Sequence, residues 1–135
     1  MLIRRVRHES GTTLTWSQSV LLSGLSRHGH ATASELAVEN GLRPQTVWSS
    51  LATLERRGFV RRERDSQDRR NVYASLTDLG RKELADDRRI REDWIVRVLA
   101  RDFTPAQRSV LADAAPLLIK LAAFTERGEH DERTG

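Results

Sequence analysis

The amino-acid sequence predicts a mainly α-helical chain with one small β-hairpin, and three observations lead there. The 135 residues are 38% hydrophobic but only 5% aromatic, so Leu, Val and Ala fill the apolar positions, and these favour helices over sheets. Three segments open with one capping pattern, a hydroxyl followed three residues later by an amide or carboxylate: Thr15-Trp16-Ser17-Gln18, Thr32-Ala33-Ser34-Glu35 and Thr104-Pro105-Ala106-Gln107. Alternation of apolar and polar positions is confined to Val72, Ala74 and Leu76, so the strand content is small. A chain this long suits one domain, or a compact domain with an oligomerisation arm.

Met1 to Arg7 reads as a short helical stub with Leu2, Ile3 and Val6 on one side, followed by a loop through Ser10-Gly11. The first capping box opens a helix running to about His28, where Gly29 supplies a left-handed stop. The second opens a short helix through Leu36-Ala37 to Asn40, which Gly41 ends. Arg43-Pro44 starts the next helix, because proline at the first helical position loses no hydrogen bond, and Gly58 stops it after Arg57. Two helices joined by a short glycine-containing turn have helix-turn-helix spacing. Phe59-Val60 then enters an extended stretch, Ser66 to Arg70 is a polar turn and Val72 to Leu76 returns: a hairpin with an arginine-rich tip, the wing of a winged helix-turn-helix.

Thr77 caps a long helix reaching about Arg101, charged on most faces at first and then carrying Ile90, Trp94 and Val98 at i, i+4 spacing. The last helix bears an apolar stripe of Val110, Leu111, Ala114, Leu117, Leu118 and Leu121, and Pro116 within it is expected to kink it. The expected organisation is a residual dimerisation helix and loop over 1–13, a DNA-binding lobe over 14–85, a helical dimerisation region over 86–125 and a disordered charged tail over 126–135. Leu2, Ile3, Val6, Trp94, Val98, Leu117, Leu118 and Leu121 are the candidate dimer contacts.

Charge points to the partner. Twenty-three basic residues exceed 19 acidic ones, for a formal +4. From Arg56 to Arg70 seven arginines stand against three acids, so this segment alone carries a surplus equal to that of the whole chain. Guanidinium forks grip phosphates bidentately, which suits nucleic acid. On the helix from Pro44, a projection at 100° per residue groups Val47, Ser50, Leu51 and Leu54 on one face and Gln45, Ser49, Ala52 and Arg56 opposite, flanked by Thr46, Thr53 and Trp48. The first face anchors the helix; the second is small or hydrogen-bonding, as a major groove requires. At the wing tip Arg70 can enter a minor groove, and Asp68, useless there as a charge, is expected to hold Arg70 by a salt bridge. The candidate DNA contacts are Ser34, Arg43, Gln45, Thr46, Trp48, Ser49 and Arg56 on the helices and Arg62, Arg64, Asp68, Arg69 and Arg70 on the hairpin.

In order and spacing the chain resembles the MarR family of bacterial regulators over nearly its whole length. The resemblance rests on Leu14-Thr15-x-x-Gln18, Glu35-Leu36-Ala37 with Gly41, Thr46-Val47 with Leu54-Glu55-x-x-Gly58-x-Val60, Asp68-x-Arg70, Leu76-Thr77-x-x-Gly80, and Thr104-Pro105-x-Gln107 with Ala115-Pro116. It implies a triangular homodimer built from the terminal helices, each subunit's winged helix reading half of a pseudo-palindromic duplex site. It also implies a repressor released by small aromatic or phenolic ligands, bound in a cleft lined by Trp16, Trp94 and residues near His28. The chain departs from the family pattern at Ser49, where many members carry a base-contacting arginine, at Ser50, mostly apolar elsewhere, and in its short first helix.

Other chemistries find little support. With no cysteine there is no disulfide, thiolate zinc site or thiol redox sensor, which also excludes the family's peroxide-sensing branch. His8, His28, His30 and His130 lack metal-ligand spacing with carboxylates, no serine has a base beside it and no glycine-rich phosphate loop occurs, so neither catalysis nor a cofactor is expected. No apolar run spans a bilayer and the N-terminus lacks a signal-peptide core, so a cytoplasmic protein without membrane contact is expected. The alternative reading is a winged helix used for protein contact, a co-regulator with weak DNA affinity; the arginine-rich wing argues against it.

Overall fold

The structure, a computed structural model, describes residues 13–131, with side chains up to residue 121. Leu2, Ile3 and Val6, and with them the N-terminal stub, lie outside the described residues, as do residues 132–135. The elements run α1 (Trp16–His28), β1 (His30–Thr32), α2 (Ala33–Asn40), α3 (Pro44–Arg56), β2 (Val60–Arg64), β3 (Val72–Leu76), α4 (Asp78–Asp102) and α5 (Pro105–Asp131).

All three capping boxes form. The Thr15 hydroxyl accepts from Gln18 N at 3.2 Å while Gln18 Oε1 accepts from Thr15 N at 2.9 Å, and Thr32 with Glu35 and Thr104 with Gln107 repeat the exchange. Arg43 is the N-cap of α3, with Pro44 in its first turn. Gly41 ends α2 in the left-handed region, and Gly29 ends α1 with a positive φ of 79°, its N–H donating to Leu25 O at 2.9 Å, although its ψ of −48° departs from the left-handed helical value.

β1 was not anticipated. Three residues are too few to display alternation, yet His30–Thr32 adds an edge to the wing hairpin and gives an antiparallel sheet of order β1-β3-β2. Ala31 pairs with Ala74, and Val60 with Leu76, and all four are buried. That sheet face closes over Leu21, Leu22, Leu25, Leu36, Val47, Leu51 and Leu54 from α1, α2 and α3 to form one core. Each such leucine, fully buried, contributes roughly 1.5–3 kcal/mol of transfer free energy.

The described chain forms two compact units, one up to Trp94 and one from Ile95. The first takes in Asp87 of α4, which is buried and accepts a hydrogen bond from Ser19 Oγ of α1 at 2.9 Å, tying this stretch of α4 to α1. In the second unit Arg108 closes the turn between α4 and α5, its Nη1 donating to the carbonyls of Leu99 at 3.1 Å and Phe103 at 2.9 Å. α5 continues to Asp131, past Glu126, where a disordered tail was expected: Glu126, Arg127 and Glu129 are themselves good helix formers and no proline interrupts them. Among the described residues no helix is long and apolar enough to cross a membrane.

Candidate nucleic-acid interface

The two-helix unit is built by its own sequence. Leu36 and Ala37 of α2 and Val47, Leu51 and Leu54 of α3 are buried, so a wide stripe of each helix faces inward and the opposite faces point out. On α3, Gln45, Trp48, Ser49 and Arg56 are exposed, while Thr46 and Ser50 are half-buried. Trp48 keeps 49% of its surface accessible, a large exposure for a residue type that is highly buried on average. Ser34 is exposed in the first turn of α2, and Arg43 is exposed at the head of α3. Thr53 Oγ1 donates to Ser49 O at 3.2 Å and accepts from Arg56 Nη2 at 3.1 Å, which lays the Arg56 guanidinium back along the helix.

The wing tip is braced from within. Arg70 donates to Asp68 through Nε at 3.1 Å to Oδ1, through Nη2 at 3.2 Å to Oδ2, and through its backbone N at 3.1 Å to Oδ1. This is the ion pair expected from sequence. Arg70 stays 90% exposed, so the pair orients the guanidinium without hiding it. These hydrogen bonds hold the Asp68 carboxyl below the usual carboxylate range. The sign follows: a depressed carboxyl stays ionised above its ordinary value and loses its charge only on strong acidification, so the brace is intact throughout the neutral range. Arg64 Nη1 donates to Arg69 O at 2.9 Å, and Gln67 N donates to Asp65 Oδ1 at 3.2 Å, fixing the rest of the turn.

The arginine cluster is therefore less bare than its sequence suggests. Arg57 lies over the Phe59 ring at 4.7 Å from the centroid, and Arg61 lies 3.4 Å from Glu63. Arg62 stands apart from the other candidate contacts, because its fork is turned onto Glu55 of α3: Nη2 donates to Oε1 at 2.9 Å and Nε to Oε2 at 3.2 Å. Hydrogen bonding to Arg62 lowers the Glu55 pKa, and the same bond raises that of Arg62. Glu55 was not among the sequence candidates. The signal was available: alternation along β2 puts Arg62 on the same side as buried Val60, toward α3, and not on the outer side with Arg61 and Glu63.

Of the residues expected to line a ligand cleft, Trp16 and the surroundings of His28 sit at opposite ends of α1. Trp16 opens α1 and His28 closes it, so at 1.5 Å per residue they stand about 18 Å apart. A groove of about 810 Å³ does open at the His28 end, lined by His28, His30, Ala31, Ser34, Glu35, Val38 and Glu39 and by neither tryptophan. His28 Nε2 lies 3.0 and 3.1 Å from the two Glu39 oxygens, and Glu39 also accepts from Arg27 at 2.8 Å, a hydrogen bond that is the main cause of its lowered pKa. These contacts tie the end of α1 to α2. Among the described residues no cluster of His, Cys, Asp or Glu could hold a metal ion.

Of the candidate dimer contacts, Trp94 and Val98 are half-buried, and Leu117, Leu118 and Leu121 are exposed on α5. Val110, Leu111 and Ile119 are exposed on the same helix.

The MarR family profile matches residues 14–72, from the first capping box to the start of β3. An uncharacterized HTH-type transcriptional regulator of Mycobacterium leprae is 31% identical over 121 residues, covering 89% of this chain and 84% of the relative. The HTH-type transcriptional repressor MdtR of Bacillus subtilis is 29% identical over 118 residues, covering 86% and 72%. The crystal structure of MarR superposes with a TM-score of 0.70 at 28% identity, covering 94% of this chain and 84% of that one. The winged helix, the exposed face of α3 and the relatives agree, and the chain belongs to the MarR family of DNA-binding transcriptional regulators.

Proposed function

We propose that the protein is a homodimeric, sequence-specific repressor that reads a pseudo-palindromic duplex with α3 in the major groove and the wing tip in the flanking minor groove, and that a small aromatic ligand releases it. The observation that carries this reading is the pairing of an exposed, hydrogen-bonding α3 face, Gln45 and Ser49, with an arginine held ready at the wing tip by Asp68. Base edges are read by short polar side chains on a helix, while narrow A·T-rich minor grooves attract guanidinium groups. Repression is supported by the name of the Bacillus subtilis relative, and ligand release by the family resemblance. Assembly through α5 is supported by Val110, Leu117, Leu118 and Ile119, large apolar side chains that this helix leaves exposed together.

Selection of bound sequences from a random duplex pool tests the reading. The expected result is an enriched inverted repeat bound by two chains, on which Gln45→Ala or Ser49→Ala costs roughly 1–3 kcal/mol while binding to random duplex hardly changes. No enrichment, with weak binding to every duplex, would instead make the winged helix a surface for protein contact.

The wing supplies a test of sign. On charge alone, Asp68→Ala should tighten binding by removing an acid next to phosphates. If Asp68 orients Arg70, the freed arginine must be ordered on binding, and affinity falls instead. The expected result is weaker binding by Asp68→Ala, most visible on sites with A·T-rich flanks. Arg70→Ala is expected to lower the slope of log affinity against log salt by about 0.9, one phosphate contact. Tighter binding by Asp68→Ala at physiological salt would reduce the wing to an electrostatic clamp.

A further inference from the structure

We infer that Glu55 and Arg62 form a strut that sets the wing against the recognition helix, so that Arg62 serves DNA binding as a positioning residue and not as a phosphate contact. The inference rests on the DNA-reading function proposed above. Three features carry it. The pair spans two elements, Glu55 on the last turn of α3 and Arg62 in the middle of β2, and both nitrogens of one guanidinium edge meet both oxygens of one carboxylate, at 3.2 and 2.9 Å. A bidentate fork fixes direction as well as distance, which a single hydrogen bond does not. The Arg62 side chain is only 23% exposed, against 90% for Arg70, so it is withdrawn from the surface on which Arg70 is displayed. Arg62 also pairs across the sheet with buried Ala74, which anchors its backbone where the sheet meets the core. Glu55 is ionised at neutral pH, since the arginine holds its carboxyl below the ordinary range.

The backbone of the turn is itself tied, Gly58 N donating to Glu55 O at 3.0 Å and Phe59 N to Leu54 O at 2.9 Å, and the strut adds a side-chain tie farther along β2. Between α3 and β2 lie only Arg57, Gly58 and Phe59, and Gly58 has φ 79°, so the connection is short but turns on its most permissive residue. A strut beyond the turn holds the hairpin's outer part, which those turn bonds do not reach. An acid facing nucleic acid otherwise opposes binding, and Glu55 is 41% exposed. Its presence on the recognition helix is accounted for if its contribution is geometric.

The test uses the full-length protein on its selected duplex, with three variants: Glu55→Met, Arg62→Met and the double variant, which keep volume and helix propensity while removing charge. As a strut, each single variant weakens specific binding about tenfold, the double variant is no weaker than either single one, and the salt slope of Arg62→Met equals that of the wild type. As a phosphate contact, Arg62→Met lowers the slope by about 0.9 and Glu55→Met tightens binding or leaves it unchanged; either result overturns the inference. Melting curves show which variants are folded, and if Arg62→Met is not, Glu55→Met decides alone, because its sign differs between the two roles. Failure of the wild type to select any site would remove the DNA-reading function itself, a result separate from either outcome for the strut.

Discussion

Gly80→Ala is expected to destabilise the lobe by about 3 kcal/mol, in the upper range for overpacking, and to lower the melting temperature by on the order of 10 °C. The reason is a backbone in the way. A Cβ added at Gly80 would stand 2.0 Å from the carbonyl oxygen of Phe59 and 2.9 Å from its carbon. Neither atom can swing aside as a flexible side chain would, since Phe59 is buried and the same oxygen accepts the backbone N–H of Thr77 at 3.1 Å. Around this contact Thr77 Oγ1 donates to Gly58 O at 2.6 Å and accepts from Gly80 N at 3.0 Å, so the head of α4 is laced to the turn between α3 and β2. Elsewhere in the chain the third helical position after a threonine cap holds Gln18, Glu35 or Gln107; here the chain lies too close for any side chain. Gly29→Ala is the control, because nothing lies within 4 Å of its added Cβ and only the positive φ opposes it, at about 1–2 kcal/mol. Thermal melts at one fixed protein concentration compare the two, since a dimer's melting point depends on concentration. Equal small shifts would mean that α4 can slide off Phe59 at little cost.

What could be read in advance follows from how local the causes are. The caps at Thr15, Thr32 and Thr104 and the inward stripe of Val47, Leu51 and Leu54 depend on residues within one or two turns, and the structure reproduces each. The Asp68–Arg70 pair likewise spans two residues and was legible. Missed features depend on partners in other elements. β1 exists because β3 offers it an edge more than forty residues later, the groove at His28 depends on Glu39 across a turn, and Arg62 points as it does because Glu55 waits on another element. Gly80 was visible only as part of a family resemblance, and the physical demand for it appears once Phe59 O is located. The tie between α1 and α4 belongs to the same class, since it is a polar contact across sixty-eight residues.

That contact gives the other large effect. The Asp87 side chain is 1% exposed, and its Oδ2 accepts from Arg91 Nη2 at 2.9 Å and from Ser19 Oγ at 2.9 Å, while Oδ1 is buried with no hydrogen-bond partner. A buried carboxylate relies on its partners, and the guanidinium is the only one here that carries a charge. Arg91→Met is therefore expected to cost about 3 kcal/mol, the lower end for breaking a buried pair, because Arg91 itself is 28% exposed and water weakens its contribution. Adding Asp87→Leu to that variant removes the stranded charge and the unpartnered oxygen together, and replaces them with apolar volume against α1. Replacing both members of a buried pair is often neutral or stabilising, so the double variant is expected to return to within about 1 kcal/mol of the wild type. Urea unfolding at fixed protein concentration measures all three proteins, with the midpoint read at constant slope. A double variant as unstable as Arg91→Met would show that the loss lies in the packing of Arg91 along α4 and not in an abandoned charge; a stable Arg91→Met would show that Ser19 alone satisfies the carboxylate.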